Sequence, residues 1–127
     1  DSIKVVGDDD DTPDRTCVRD YIHIVDLADA RILGLEYLRQ GGSSGGFNLG
    51  NGLGYSVRDV IRVSERVTGK SIKTDITARR AGDPAVLVAD YAHARDGLGW
   101  KQRYGDLETI VRTAWEWHRQ HPAGFDD

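Results

Sequence analysis

Arg19 and Tyr21, two positions apart, are the side chains of this sequence with the clearest chemical potential. If residues 18–24 form an extended strand, alternate side chains lie on opposite faces, and one face carries Arg19, Tyr21 and His23. The opposite, apolar face would then consist of Val18, Ile22 and Ile24. A guanidinium donates paired hydrogen bonds to phosphate, and a tyrosine both packs and hydrogen-bonds. The pattern predicts a nucleotide site, although a structural salt bridge beside a half-buried ring explains these residues equally well.

A second candidate is the short run from Arg79 to Asp83, which holds two arginines, a glycine and a carboxylate. Gly82 permits a tight loop there, because glycine tolerates backbone conformations that other residues avoid. Two arginines from distant segments that converge on one diphosphate would anchor it with charge-assisted hydrogen bonds. The alternative is a solvated turn with local ion pairs.

Other patterns are weaker. Gly50–Gly54 approaches a dinucleotide-binding fingerprint, but its third glycine is one position short and the preceding strand is too brief, so a tight turn is predicted. The acidic run Asp8–Asp11 lacks the glycine and glutamate of a calcium loop. Cys17 and His23 lie six residues apart, about 20 Å along a strand, which is too far for a thiol–imidazole pair. His118 and His121 have no evident third ligand, so no metal site is predicted.

The composition narrows the classes of partner. The chain has 127 residues, the size of one domain, and a net charge of −4 from 17 basic and 21 acidic residues. Because these charges are interspersed, no broad positive field would attract duplex nucleic acid or an anionic membrane, so small molecules or proteins are the predicted partners. The single cysteine, the polar N-terminus and the lack of a long apolar run favour the cytoplasm.

The hydrophobic pattern predicts short strands alternating with helices. Strands are expected at Ile3–Val6, Val18–Ile24, Phe47–Leu49 and Ile72–Thr77, and Val86–Ala89 is expected to form either another strand or an extended segment. Helices are expected from Leu27 to about Gln40 after an Asp26 cap, after a Ser56–Asp59 capping box to Gly69, from an Asp90 cap to about Leu98, and after an Asp106 cap. The buried stripe of the first helix is expected to contain Leu27, Ala30, Leu33 and Leu38.

Several of these motifs occur together in a known family. The string from Arg19 to Ala30 resembles the substrate-domain signature of the UDP-glucose 4-epimerases, which are extended short-chain dehydrogenases/reductases. The resemblance continues through residues 47–52, 78–84, 98–101 and 115–118, and so covers nearly the whole chain. It implies an α/β fold: a small mixed substrate-binding domain of about four helices and several short strands, without the Rossmann half. Residues 1–127 would be the C-terminal UDP-sugar-binding domain of a longer epimerase, in line with a start that lacks methionine.

The resemblance also implies roles for individual residues. Arg19 would bind the nucleotide diphosphate with Tyr21 beside it, Arg80 would grip the pyrophosphate, and Asp83 would bond the ribose hydroxyls. Val57 and the glycine-rich turn before it would line the uridine end, and Lys4 and Val6 would belong to the same pocket. Val6 stands where an aromatic side chain usually packs on the uracil, Asp10 replaces the family's usual tyrosine, Arg15 replaces a glycine, and Leu87 occupies a position associated with sugar specificity.

The implied activity is the interconversion of UDP-glucose and UDP-galactose through a 4-keto intermediate, with bound NAD in a full-length, homodimeric enzyme. The sequence contains no Tyr-x-x-x-Lys and no Gly-x-x-Gly-x-x-Gly after an N-terminal strand. No catalytic or cofactor-binding residue is therefore assigned within it, and the chain alone is predicted to be inactive. Two alternatives remain open: a non-catalytic UDP-sugar-binding module or remnant, and part of another nucleotide-sugar epimerase or dehydratase.

Overall fold

The computed structural model describes residues 2–125 and contains four α-helices and five short β-strands. The strands are β1 (Ile3–Val6), β2 (Val18–Arg19), β3 (Tyr55–Ser56), β4 (Thr74–Thr77) and β5 (Val86–Leu87). The helices are α1 (Ile24–Arg39), α2 (Val57–Thr68), α3 (Ala92–Leu98) and α4 (Leu107–Gln120). The small α/β fold that the sequence predicts is confirmed.

The strands form two separate sheets. β1 and β4 pair in parallel, with Ile3 opposite Thr74 and Val6 opposite Thr77. In the second sheet β2 lies in the middle, antiparallel to β3 and parallel to β5. Because β2 is flanked on both sides, the segments around residues 55–57 and 85–87 lie next to Arg19.

Side-chain caps determine where two helices begin. The Ser56 hydroxyl accepts a hydrogen bond from the Asp59 N–H and the Asp59 carboxylate accepts one from the Ser56 N–H, which is the predicted capping box of α2. Asp106 caps α4, as predicted, by accepting from the Thr109 N–H at 2.8 Å. α2 ends where predicted, at Gly69, whose φ of 68° suits a residue without a Cβ.

The core lies where α1 packs against α3 and the segment that follows it. Ala30, Ala94 and Trp100 are buried, and the Trp100 indole N–H donates to the carbonyl of Asp26 at 2.9 Å. The Asp26 carboxylate, only 1% exposed, accepts hydrogen bonds of 3.0 Å from the backbone N–H groups of residues 103–104. A buried carboxylate that is satisfied in this way connects α1 to the chain leading into α4.

The predicted strand 18–24 is wrong beyond Arg19. Its neighbours β3 and β5 each contribute two residues, so the ladder ends there. α1 begins at Ile24, and its N-cap is His23, whose Nδ1 accepts from the Val25 N–H at 3.1 Å. His23 is buried and its Nε2 lies 3.0 Å from the Thr113 hydroxyl on α4, so it does not share a polar face with Arg19.

Two other strands are shorter than predicted, and one is absent. β4 begins at Thr74 because the Ile72 N–H donates instead to the Glu65 side chain at 2.8 Å. β5 ends at Leu87, and the Ala89 N–H donates to the Asp20 carboxylate at 3.1 Å. No strand forms at 47–49 in the described structure; the Phe47 ring packs there against Tyr37 and His93.

Two predicted helix caps and one core position also differ. Asp26 does not cap α1, since it lies in the first turn of that helix and serves the core. α3 begins after Tyr91, one residue beyond the predicted Asp90, although Asp90 still accepts from the Ala92 N–H at 2.9 Å. Leu38, expected in the buried stripe of α1, is 52% exposed.

Candidate functional site

Arg19 connects the two segments that carry the predicted binding residues. Its Nη1 donates to the carbonyl of Pro84 at 2.9 Å and to the carbonyl of Val18 at 2.8 Å. The Val18 N–H in turn donates to the carbonyl of Ala85 at 2.8 Å. The structure thus holds the chain that follows loop 80–83 directly against β2, so that Arg19 and this loop belong to one region of the surface.

The two arginines of this loop have different surroundings. Arg79 forms ion pairs with Asp9 and Asp10, which lie in the acidic loop that follows β1. Arg80 and Asp83 are exposed, and within residues 2–125 their side chains make no hydrogen bond or salt bridge. Arg80 can therefore donate to an anion and Asp83 can accept from hydroxyl groups without first breaking an internal contact.

Asp20, next to Arg19, holds the backbone around the site. One carboxylate oxygen accepts from the Asn51 N–H at 2.8 Å, and the other accepts from the Gly52 N–H at 3.2 Å and the Ala89 N–H at 3.1 Å. The Asp20 carboxylate acts only as an acceptor in these three hydrogen bonds. It fixes β2 against both the glycine-rich turn and the segment that follows β5.

An open cavity of about 390 Å³ lies beside this carboxylate. It is lined by Arg19, Asp20, Asn48, Leu87, Val88, Ala89 and Asp90. Its volume falls in the range of small-molecule sites. A guanidinium at one wall and carboxylates at others suit a polar ligand that carries both an anionic group and hydroxyl groups.

Tyr21 and Val57 are both held close to β2. The Tyr21 carbonyl accepts from the Asn51 side-chain amide at 2.8 Å. Burial raises the pKa of the Tyr21 phenol, Cys17 raises it further, and the charge of Arg19 opposes both, so the hydroxyl stays protonated at neutral pH. The Val57 N–H donates to the carbonyl of Cys17 at 3.2 Å, which places the start of α2 beside β2.

Lys4 and Val6 lie in the other sheet. Lys4 is opposite Asp75 and Val6 is opposite Thr77, and the Gly7 N–H donates to the Thr77 carbonyl at 2.9 Å. β1 therefore runs beside the strand that leads into the Arg80 loop. For the residues that the structure describes, however, no hydrogen bond or ion pair joins the side chain of Lys4 to that loop or to β2.

Asp14 stabilises the loop that leads into β2. Its carboxylate accepts from both the N–H and the hydroxyl of Thr16, at 3.0 and 2.7 Å, and from the hydroxyl of Ser56. Burial raises the pKa of Asp14, but the hydrogen bonds from Ser56 and Thr16 and the charge of Arg58 outweigh it, so the pKa lies below its ordinary value of 3.8. The folded state therefore favours the charged form.

This shift predicts an acid-sensitive contribution to stability. Because the folded-state pKa is lowered, the contribution is complete above about pH 4 and is lost as the pH falls through the folded value. Asp14→Asn should be less stable than wild type at pH 7 and should lose less stability between pH 7 and pH 2, as measured by urea unfolding. Asp11→Asn, an exposed change in the same loop, is the control. An equal acid loss in Asp14→Asn and wild type would contradict this.

Two negative findings apply to residues 2–125. No group of three or more histidine, cysteine, aspartate or glutamate side chains is arranged to hold a metal ion there. In the same part of the chain, no helix has the length and apolar character needed to cross a membrane.

Comparison with known proteins points to one family. No family model matches the chain. The UDP-glucose 4-epimerase of Halalkalibacterium halodurans is 51% identical over 123 residues, which are 97% of this chain and 37% of that enzyme. A crystal structure of a UDP-glucose 4-epimerase superposes with a TM-score of 0.94 at 46% identity, and the match covers 100% of this chain and 39% of that one. Over nearly its whole length, the chain is similar to one part of the UDP-glucose 4-epimerases.

The match to UDP-glucose 4-epimerases is partial in length. The chain spans a little over one third of the curated relatives that it matches, 37% of the Halalkalibacterium enzyme. The structure of the Bifidobacterium longum UDP-glucose 4-epimerase in complex with NAD+ and UDP matches with a TM-score of 0.85 at 39% identity, and covers 98% of this chain and 36% of that one. The shared fold is thus one part of a larger enzyme in those relatives.

The glycine-rich turn packs against other side chains of the chain and does not have the geometry of a dinucleotide-binding loop. A Cβ added to Gly52 would lie 2.8 Å from the Tyr91 ring, and one added to Gly54 would lie 2.7 Å from Val88 and 2.8 Å from Val18. These glycines make room for side chains of the chain itself and do not form a cradle for a pyrophosphate.

The sequence alone did not reveal two of the residues that organise this region. Asp20 lies inside the recognised string, yet only its three backbone partners in distant segments show that it holds the site together. The sequence predicts Asn51 only as part of a turn, but its side chain donates to the carbonyls of Tyr21 and Gly105 at 2.8 and 2.9 Å. An available signal was their position in the two strings that resemble the epimerases.

Proposed function

We propose that this chain is the C-terminal, UDP-sugar-binding part of a UDP-glucose 4-epimerase that interconverts UDP-glucose and UDP-galactose. The observation that carries the proposal is the Arg19 guanidinium, which lies on β2 and donates to the carbonyl of Pro84. This contact brings one arginine beside the loop that presents Arg80 and Asp83, the residue types that a nucleoside diphosphate requires.

In this proposal the two arginines bind the diphosphate and Asp83 accepts from the ribose hydroxyls. Tyr21 lies beside the diphosphate, and its protonated phenol can donate a hydrogen bond to it. Charge-assisted bonds from two guanidinium groups give both strength and a fixed orientation. A grip on the nucleotide, remote from the reacting ring, leaves the sugar free to turn over between its two faces.

The other site assignments belong to the same proposal. Val57 and the glycine-rich turn line the uridine end of the pocket, and Lys4 and Val6 approach it from β1. The cavity beside Leu87 accommodates the sugar. Valine in place of an aromatic ring at position 6 weakens the packing against uracil, because a smaller apolar surface is buried.

The redox cofactor is assigned outside these 127 residues. The Bifidobacterium longum relative binds NAD+, but the present chain offers no dinucleotide cradle among its described residues. We therefore propose that NAD is bound by a separate, Rossmann-type part of the enzyme. Assembly of the complete enzyme as a homodimer and a cytoplasmic location are further parts of this proposal.

Calorimetric titration of the chain with UDP and with UMP tests the proposal. UDP should bind more tightly than UMP, because the second phosphate gains contacts with the arginines. Absence of binding by either nucleotide, or equal affinity for both, would contradict the assignment.

A kinetic assay tests the division of roles. The purified chain, supplied with NAD and UDP-glucose, should form no UDP-galactose, because its sequence contains no Tyr-x-x-x-Lys. Measurable interconversion by the 127-residue chain would refute the assignment of catalysis to another part of the enzyme.

A further inference from the structure

An ion pair connects the acidic loop after β1 to the loop that carries Arg80. The Arg79 guanidinium bonds the carboxylate of Asp10 and lies 3.3 Å from that of Asp9. The Asp10 side chain is only 6% exposed, whereas that of Asp9 is 59% exposed. Asp10 is therefore the buried partner of a partly exposed Arg79, and Asp9 contributes an exposed, longer contact.

Backbone hydrogen bonds hold Asp10 in place in addition to its ion pair with Arg79. The Asp10 N–H donates to the carbonyl of Arg15 at 3.1 Å, and the Asp10 carbonyl accepts from the Thr12 N–H at 2.9 Å. On the other side, Gly7 leaves room for Arg79, since a Cβ at residue 7 would lie 3.0 Å from the Arg79 Cβ. Both partners thus meet in one defined geometry.

The loop between Arg79 and Pro84 has little else to order it. Its residues are exposed, and the Asp83 N–H reaches the carbonyl of Arg80 only at 3.5 Å. At its end, Arg19 donates to the carbonyl of Pro84 at 2.9 Å. At the start of the loop, the Arg79 side chain forms an ion pair with Asp10.

We propose that Asp10 and Arg79 form a clasp that positions the loop of Arg80 and Asp83 and so sets the affinity for the diphosphate. This inference rests on the proposed function for its ligand. Arg79 and Asp10 are positioning residues, because they act through Arg80 and are themselves paired with each other. Misplacement of a charged contact by about 1 Å is enough to cost a large part of its effect.

Asp10→Asn tests the clasp, because it removes the charge while preserving the size of the side chain. UDP affinity should fall about tenfold, since charge-assisted contacts depend on geometry, and uridine affinity should stay within about twofold. Hydrogen exchange at the amides of residues 80–83 should accelerate in the full chain. Asp9→Asn is the matched control and should change none of these quantities by more than about twofold.

A double-mutant cycle with Arg79→Gln separates the clasp from a general loss of structure. If the pair acts as a unit, Asp10→Asn combined with Arg79→Gln should be no worse than either single variant. Unchanged UDP affinity and loop exchange in Asp10→Asn, or an equal loss for UDP and uridine, would overturn the proposal. If wild type bound no UDP, the proposed function would fall, and loop exchange alone would decide: faster exchange confined to residues 80–83 supports the clasp, and unchanged exchange refutes it.

Discussion

Asp20→Ala is expected to destabilise the chain by about 3 kcal/mol, because it removes the acceptor of three backbone N–H donors, two of them partly buried. Those donors are the N–H groups of Asn51, Gly52 and Ala89, which come from two separate segments. Loss of the carboxylate should release the glycine-rich turn and the chain after β5 from β2 together. Denaturant unfolding of the wild-type chain and the variant measures the difference.

Two further variants make this result specific to the Asp20 hydrogen bonds. Asp20→Asn retains one carbonyl oxygen and should recover part of the lost stability, whereas its amide donors oppose the facing N–H groups. Asp96→Ala removes an exposed carboxylate that pairs with the neighbouring Arg95, and it should change stability far less than Asp20→Ala does. Equal, small effects of Asp20→Ala and Asp96→Ala would show that Asp20 does not hold the site together.

Arg80→Ala is expected to raise the Kd for UDP tenfold to a hundredfold, since a hydrogen bond to a charged group contributes about 1.5–3 kcal/mol. Arg19→Ala should weaken binding at least as much. It removes one of the two proposed phosphate-binding groups and also the donor that holds the carbonyl of Pro84 against β2. With a weak wild-type affinity, both variants should bind no measurable UDP in a calorimetric titration.

Arg112→Ala is the matched control for both arginine variants. Arg112 lies on α4 and pairs with Glu116 at 3.5 Å with both side chains about half exposed, so its removal changes the net charge by the same amount away from the site. It should leave the Kd for UDP within about twofold at physiological salt, where distant surface charges are screened. UDP binding that survives both site variants would exclude the assigned site.

The elements with local signals were predicted closely. The Ser56–Asp59 capping box, the Asp106 cap and the stop at Gly69 each depend on residues within a few positions of one another, and all three are present. β1 also has its predicted bounds. Such signals are readable because the chemistry that ends a helix is contained in the helix itself.

The errors occurred where distant segments decide the structure. The polar alternation of residues 18–24 is typical of a strand, yet pairing stops at Arg19 because its partner strands are two residues long. His23 then caps α1 and bonds Thr113, which lies 90 positions further along the chain. No local pattern could show this, since the deciding partner is distant in sequence.

The same contrast applies to the candidate site. The resemblance predicts roles for Arg19, Arg80 and Asp83, and the structure adds the Arg19–Pro84 hydrogen bond that places their segments side by side. Arg79 pairs with Asp10, so that within the described residues Arg80 is the unpaired arginine of the loop. Two adjacent arginines in the sequence do not show which of them forms this ion pair.

Backbone amide shifts of the isotopically labelled wild-type chain, recorded by NMR during a UDP titration, test the central claim most directly. The account predicts saturable changes confined to residues 17–21, 51–57 and 79–89, with Arg19, Arg80 and Asp83 among them. The amide chemical shifts of α4 should not change during the titration. Saturable changes that lie on α4 and spare β2 and the Arg80 loop, or no saturable change at all, would contradict the assignment of a UDP-sugar site to this surface.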